Sequence, residues 1–472
     1  MRRITFGTSG WRGILCDDFI FDNVKTVTQA IADHVIAGGE RDKGIIVGYD
    51  TRFMGRRFAE EAAMVLAGAG IRVFLCRRDV PTPVIAHEIL RRGCAGAVNF
   101  TASHNPPEYN GIKFSPSWGG PALPETTRDI EKRANEMLGE VCYKEISLKR
   151  AAQEGLLEEI DPQETYLKDL ADKVDFDAIA GLGAVALNPL FGTARGYLDG
   201  PLQARDMKVS MINAHPDPYF GGNPPEPSEK YIGDFIRLVK DDPAIRLGLA
   251  TDGDADRFGI VDQDGTFIEP NYIIALLLDY LIRERKMTGG VGRSVATSHL
   301  IDAVARKHGV EVFETPVGFK YIGELISRDK IIIGGEESAG LTIKGHVPEK
   351  DGILACFLVA EMAAREGLPV KKLLERLYDQ VGRYITKREN ITLCPELEEA
   401  FPAKMAAGPA TFAGSRVNEI ITIDGNKFIL DDGSWLLFRK SGTEPVVRLY
   451  GEASSEERLA AVMKAGREFI LG

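Results

Sequence analysis

Three times along the chain, short runs of β-branched and aliphatic residues alternate with longer segments whose apolar positions recur at helical spacing, and few folds accommodate that alternation. Residues 45–49 read as a strand, 55–68 as a helix with Phe58, Ala62, Val65 and Leu66 on one face, and 71–75 as the next strand. Pro81-Thr82-Pro83 opens another helix and 95–100 forms a further strand. After a charged, helical region at 124–150 the same grammar restarts. Strands are predicted at 184–187, 208–212 and 246–250, separated by 193–198 and a helical 228–240. A third round gives helix 271–285, strand 293–297, helix 300–307 and strands 311–314 and 330–334. Strands separated by helices build parallel or mixed sheets. From about Gly382 the order changes to strands at 384–393, 418–423, 427–430, 435–438 and 446–450, with helices at 396–407 and 455–470. The expected architecture is α/β: three similar mixed-sheet domains at 1–147, 148–266 and 267–380, then an α+β domain at 381–472. A length of 472 residues fits that number, at about 150 residues per domain.

The net charge of −11 argues against a nucleic-acid-coating surface and against anionic membranes, while leaving room for a concentrated basic pocket. Six scattered cysteines include no C-x-x-C pair and no zinc-ligand spacing, so they read as reduced thiols. Met1-Arg2-Arg3 runs into a polar, Gly-rich segment without a signal core, and the most apolar run, 273–282, contains Asp279 and is too short to span a bilayer. The expectation is a cytoplasmic protein.

Five polar loops carry the candidate chemistry. The stretch 98–114 leaves an apolar strand and presents Ser103 at the head of an Asn105-Pro106-Pro107 turn, with His104 and Lys113 nearby. Pro106 biases Asn105 away from helix, so Ser103 is expected on an exposed loop, as a turn residue or, beside basic groups, a nucleophile or phosphate carrier. The Gly-rich segment 6–13 offers Arg12 as a phosphate fork and matches neither the dinucleotide fingerprint nor the P-loop. Asp252-Gly253-Asp254-Ala255-Asp256-Arg257 follows an apolar strand, and alternate carboxylates make most sense around a divalent cation. An EF-hand is rejected, because Arg257 and Gln263 stand where Gly and Glu are needed. Hard oxygen ligands suit Mg²⁺ with a phosphate oxygen completing the shell.

The fourth region combines residues 315–320 with 334–340, whose Glu336 and Ser338 can hold vicinal hydroxyls; Lys320 and His346 are candidates for proton transfer. In the fifth, Arg439-Lys440-Ser441-Gly442-Thr443-Glu444-Pro445, two hydroxyls, a flexible glycine and a guanidinium form a plausible phosphate nest.

With these loops in this order over the full length, the chain resembles the α-D-phosphohexomutase superfamily, the phosphoglucomutases and phosphomannomutases. The most specific pieces are Thr101-Ala102-Ser103-His104-Asn105-Pro106, Asp252 through Arg257, and Arg439 through Pro445. The resemblance implies four domains around a deep central cleft. It implies that Ser103 is carried as phosphoserine and that Asp252, Asp254 and Asp256 bind Mg²⁺ together with the phosphoryl oxygen of Ser103. Arg12, Lys113 and Arg257 would surround the transferring group, Glu336 and Ser338 would hold sugar hydroxyls beside Gly318, and Arg439, Ser441, Gly442 and Thr443 would grip the other phosphate. The implied reaction interconverts hexose 1-phosphate and hexose 6-phosphate through a hexose 1,6-bisphosphate that reorients between two transfers. The phosphosugar is the expected partner, with no nucleic acid or membrane, and the protein is expected as a monomer or homodimer. Ala255 and Ala339 replace frequent glycines, and Phe319-Lys320 stands where related phosphomannomutases often have a His. Glucose or mannose handling is favoured; the alternatives are a phosphoglucosamine mutase on the same scaffold and a non-catalytic sugar-phosphate-binding protein.

Overall fold

The computed structural model describes residues 3–7, 10–440 and 446–472. Those residues form four sheets. The first has the order Phe6–Gly7, Gly10–Ile14, Tyr109–Pro116, Gly96–Phe100, Ile45–Tyr49, Val73–Cys76, Leu157–Ile160. The second runs Phe267–Ile268, Phe258–Asp262, Leu247–Thr251, Ala184–Asn188, Lys208–Met211, and the third Val312–Thr315, Gly290–Ser294, Ile331–Glu336, Gly340–Ile343.

One motif is shared by all three. Three adjacent strands lie parallel, and the last of them turns back into an antiparallel neighbour: Gly96–Phe100 into Tyr109–Pro116, Leu247–Thr251 into Phe258–Asp262, Ile331–Glu336 into Gly340–Ile343. The central parallel strands are buried along their length, as covered sheets require, and so read as continuous apolar runs. The three turns carry the Ser103, triple-Asp and Glu336–Ser338 segments. Each holds a non-glycine residue in the left-handed region, Ser103 at φ 51°, Ala255 at 57° and Ala339 at 71°. The internal repeat expected from the alternation is thus a repeat of strand order that delivers chemistry at one topological position.

The antiparallel return strands were not foreseen. Tyr109–Pro116 is eight residues long and places Lys113 opposite Asn99, on a strand rather than a loop. The region 124–150 divides into helices Pro124–Glu136 and Leu148–Gln153. Leu157–Ile160 pairs with Val73–Cys76, so a boundary at 147 cuts off the last strand of the first sheet, and one at 266 cuts off Phe267–Ile268. Both strands are short and sit at sheet edges, which is why no apolar run announces them. We place the divisions after 160, after 268 and at Gly382.

One apolar cluster runs through the first three blocks, from Ile46 and Ile85 through Leu187 and Leu249 to Ile333 and Phe357. The helix Gly352–Glu366 lies in it, capped by the Asp351 carboxylate, which accepts from Leu354 N at 2.9 Å. A Cβ at Gly352 would lie 2.2 Å from the Arg257 carbonyl oxygen, so only glycine lets this helix start against the triple-Asp loop.

The C-terminal block is a mixed-order antiparallel sheet, Ile385–Thr392, Val446–Ala453, Trp435–Lys440, Asn426–Leu430, Ser415–Ile421, Thr411–Phe412, backed by helices Pro395–Ala407 and Glu456–Leu471. It docks on the third block through Val295, Ala296, Trp435, Leu437 and Tyr450. Two buried charges secure the contact. Lys427 Nζ donates to Val295 O at 2.9 Å, and Glu452 accepts from Trp435 Nε1 at 2.7 Å and His299 N at 3.1 Å. Among the described residues no helix is long and apolar enough to cross a membrane.

Candidate functional site

The Ser103 loop is not on the surface: the residue is 2% exposed, because the triple-Asp loop of the second block covers it. Exposure was the wrong expectation, since the turn that Asn105-Pro106 makes is aimed inward. Ser103 N donates to Thr101 Oγ1 at 2.9 Å and Ser103 Oγ donates to Asp252 Oδ2 at 2.8 Å. His104 Nδ1 lies 3.4 Å from Ser103 Oγ. Burial, then the charges of Arg257 and Arg12, holds the imidazole well below its usual range, so it stays neutral.

Asp252, Asp254 and Asp256 are all buried and bring one carboxylate oxygen each within 4.8 Å of the others. The segment is a tight turn between two strands, left-handed at Ala255, and it folds the three carboxylates towards one point. Thr82 Oγ1 donates to Asp254 Oδ2 at 2.7 Å, and Lys113 Nζ reaches Asp254 Oδ2 at 2.6 Å and Asp256 Oδ2 at 3.2 Å. Lys350 Nζ lies 3.0 Å from Asp256 Oδ2 and 3.1 Å from Glu349 Oε1. Burial alone would raise Asp256, but Lys113, Lys350 and Arg257 outweigh it and hold the carboxyl far below its usual range. Asp252 goes the other way, pushed up by burial and then by Asp256 and Asp254. Asp254 Oδ1 and Asp256 Oδ1 are buried without a hydrogen-bond partner among the described residues. Three hard carboxylates with spare oxygens fit a divalent cation.

Around this centre Arg12 Nη1 donates to Asn105 Oδ1 at 2.5 Å, and Arg257 N donates to Asp252 Oδ1 at 2.9 Å. A cavity of about 380 Å³ opens beside Arg257 and is lined by Ser338, Glu337, Asn271, Trp435 and Tyr450, drawn from three blocks. Glu336, 5% exposed, accepts from Gly318 N at 2.7 Å. Gly318, at φ 132°, therefore orients Glu336 with its N–H. Burial, then the neighbouring Glu337, pushes Glu336 up to about 7. Lys320 lies in the first turn of the helix Phe319–Ser327, and burial lowers it from the usual lysine range. Arg439 Nε donates to Asp424 Oδ2 at 2.9 Å, and the same oxygen accepts from Val317 N at 3.0 Å, which joins the third and fourth blocks at the rim. Ser441, Gly442 and Thr443 lie outside the described residues.

His346 is not brought to this cluster. Its side chain is fully buried, with Nε2 2.7 Å from Asp351 Oδ2 and Nδ1 3.7 Å from Asp169 Oδ2. Asp351 also accepts from Tyr166 OH at 2.7 Å, so the imidazole belongs to a junction between blocks that fixes the start of helix Gly352–Glu366. His346→Gln is expected to lower the melting temperature while leaving kcat of the folded enzyme within about threefold; a far larger kcat loss would return it to the chemistry.

Sequence reasoning missed Lys350, Thr82 and Asp424. Lys350 sits in the charged run Pro348-Glu349-Lys350-Asp351 ahead of an apolar helix, and Thr82 in Pro81-Thr82-Pro83, which reads only as a helix start. For Asp424 no local signal exists, since its partners come from two blocks.

The fold has solved counterparts. A structure from Thermus thermophilus superposes with a TM-score of 0.85 at 32% identity, both chains covered completely. The open form of parafusin, a phosphoglucomutase from Paramecium, gives 0.85 at 24%, covering 99% of this chain and 95% of that one, a likeness of fold. In sequence, a phosphoglucomutase/phosphomannomutase from Thermococcus kodakarensis is 31% identical, with 98% of each chain covered. A "probable phosphoglucosamine mutase" from Methanopyrus kandleri is 33% identical over 96% of this chain and 94% of that one. The architecture and site define a sugar-phosphate mutase class of enzyme. The chain belongs to the phosphoglucomutase/phosphomannomutase family, matching its α/β/α domain I at residues 3–138, domain II at 164–265, domain III at 269–381 and C-terminal domain at 392–468. It is thus an intramolecular phosphotransferase.

Proposed function

We propose that the chain interconverts hexose 1-phosphate and hexose 6-phosphate, with glucose or mannose as the sugar, by way of a phosphoserine at 103 and a hexose 1,6-bisphosphate. The observation that carries this is the Ser103 hydroxyl hydrogen-bonded to Asp252 inside the buried carboxylate triad, with Lys113 on the same carboxylates. In the first transfer the substrate's free hydroxyl attacks phosphorus, the bond to Ser103 Oγ breaks, and the serine oxygen leaves as the bisphosphate forms. After reorientation Ser103 Oγ attacks the other phosphorus, the bond from that phosphorus to the sugar oxygen breaks, and the sugar oxygen leaves as a hydroxyl while Ser103 regains its phosphoryl group.

Asp252, Asp254 and Asp256 would hold Mg²⁺, which would neutralise charge on the phosphoryl oxygens when bound. Arg12, Lys113 and Arg257 supply fixed positive charge beside Ser103. Lys350, held by Asp256 and Glu349, extends that set. Glu336 and Ser338 hold sugar hydroxyls, and Arg439, with Ser441, Gly442 and Thr443, takes the non-reacting phosphate, displacing Asp424 from the guanidinium. We assign Lys320 an acid/base or phosphate-contact role; burial lowers it from the usual lysine range. We propose a hinge for the fourth block over residues 377–383, where the helix Val370–Val381 ends at Gly382, φ 92°.

If Glu336 binds hydroxyls as a carboxylate, substrate affinity depends on its ionisation. Its folded pKa near 7 means that the protein binds glucose 1-phosphate more weakly as pH falls from about 8 to about 6. Phosphate titrates in the same range, so calorimetry on Glu336→Gln isolates the carboxylate: the variant should bind weakly at every pH and lose the part of the pH dependence that Glu336 supplies.

The substrate itself is tested by a coupled assay on glucose, mannose and glucosamine phosphates. Highest kcat/KM on glucosamine phosphate would move the chain to the phosphoglucosamine branch, whose named relatives match it equally well. Binding without turnover on any of them would leave a sugar-phosphate-binding protein.

A further inference from the structure

We propose that Arg52 is a positioning residue for phosphoryl transfer: its guanidinium clamps the Ser103 loop in the conformation that presents the hydroxyl to the carboxylate triad. The proposal rests on the reading of Ser103 as the phosphoryl carrier. Asp50-Thr51-Arg52 follows the strand Ile45–Tyr49, which lies parallel and adjacent to Gly96–Phe100, so both strands release their loops at one edge of the sheet. Asp50 N donates to Phe100 O at 2.9 Å, tying the two exits together.

From there the guanidinium uses both terminal nitrogens on the loop. Nη2 donates to Ser103 O at 2.7 Å and Asn105 O at 2.6 Å; Nη1 donates to Pro106 O at 2.8 Å and Tyr109 O at 2.9 Å. Four terminal N–H groups thus meet four main-chain carbonyls spanning the whole turn. The Arg52 side chain is completely buried, so without it carbonyls in this turn would lose their partners away from water. Asp50, equally buried, accepts from Arg52 N at 2.9 Å and lies 3.3 Å from Nε, which balances the charge. The guanidinium carbon also stands 5.0 Å from the ring centre of Phe220, in the Pro- and Gly-rich loop of the second block.

The clamp matters because of what it holds. Ser103 is left-handed at φ 51°, a conformation that a serine keeps only when its surroundings impose it. Relaxation would swing Oγ away from Asp252, and a displacement of about 1 Å at a reacting group costs on the order of 100-fold in rate. A lysine preserves the charge but cannot place donors on four carbonyls at once.

The test is Arg52→Lys in the full-length protein, with thermal melting, phosphoserine content by intact mass, and single-turnover transfer from phosphorylated Ser103 to glucose 1-phosphate. The expected result is a folded variant whose transfer rate falls roughly 100-fold with KM within about threefold. Transfer within threefold of wild type, or a loss carried entirely by KM, overturns the proposal. Should the variant not fold, hydrogen exchange on the wild-type protein decides: residues 101–110 should exchange as slowly as Gly96–Phe100, and rapid exchange across them overturns the clamp. If the wild-type protein carries no phosphate on Ser103 and transfers none, the functional reading fails and the clamp for transfer fails with it; an active wild type with an unaffected variant removes the clamp alone.

Discussion

Ser103→Ala is expected to lose turnover by a factor on the order of 10⁴ or more while melting within a few degrees of the wild-type protein. The substitution removes one oxygen whose contacts are its hydrogen bond to Asp252 and a longer approach, 3.4 Å, to His104 Nδ1, so little stability depends on it. It also removes the atom on which the phosphoryl group would travel, and no other described hydroxyl donates to the triad except Thr82. Thr82 Oγ1 is committed on both sides, donating to Asp254 and accepting from Asn99 Nδ2 at 3.0 Å, and is poorly placed to substitute. Intact-mass and peptide measurements should find a phosphate on residue 103 of the active wild-type protein and none in the variant. Retained turnover in Ser103→Ala would sink the mechanism, and the hydroxyl would then be a loop residue that happens to meet a carboxylate.

How much of this was legible depends on which residues carry a local signal. The parallel strands were readable because both faces are covered, leaving uninterrupted runs such as Ile45–Tyr49 and Leu247–Thr251. The return strands were not, since Tyr109–Pro116 and Phe258–Asp262 begin inside polar loops and owe their strand geometry to a neighbour in the sheet. The triple-Asp loop announced itself because three alternate carboxylates are costly without a cation. Lys350 and Arg52 did not, because a basic residue near a turn is ordinary in sequence and becomes informative only when its contacts appear. His346 shows the converse: a histidine shortly after the Glu336 loop invites a catalytic reading, yet its partners Asp351 and Asp169 lie in a packed junction between blocks.

The second large effect concerns the triad itself. Three carboxylates within 4.8 Å of one another in a buried site repel by about 3.5 kcal/mol or more per pair at an effective dielectric near 20, before any cation answers them. Lys113 pairs with Asp254 and Asp256, and Lys350 with Asp256. Asp252 has no ammonium or guanidinium within ion-pair distance among the described residues, only the hydroxyl of Ser103 and the N–H of Arg257. Its negative charge is therefore the least compensated of the three and the one a divalent cation relieves most. With the metal removed by EDTA, Asp252→Asn should melt no lower than the wild type, since it deletes repulsion and keeps an acceptor for Arg257 N–H. On adding MgCl₂ the behaviour should reverse: at about 100 times the dissociation constant, binding stabilises the wild type by roughly 2.7 kcal/mol, a rise of several degrees. The variant should show little or none of that rise, and its kcat should fall by about 10³. Magnesium that raised the melting temperature of Asp252→Asn as much as that of the wild type would place the cation elsewhere, and the triad would then be an ion-pair network held by Lys113 and Lys350.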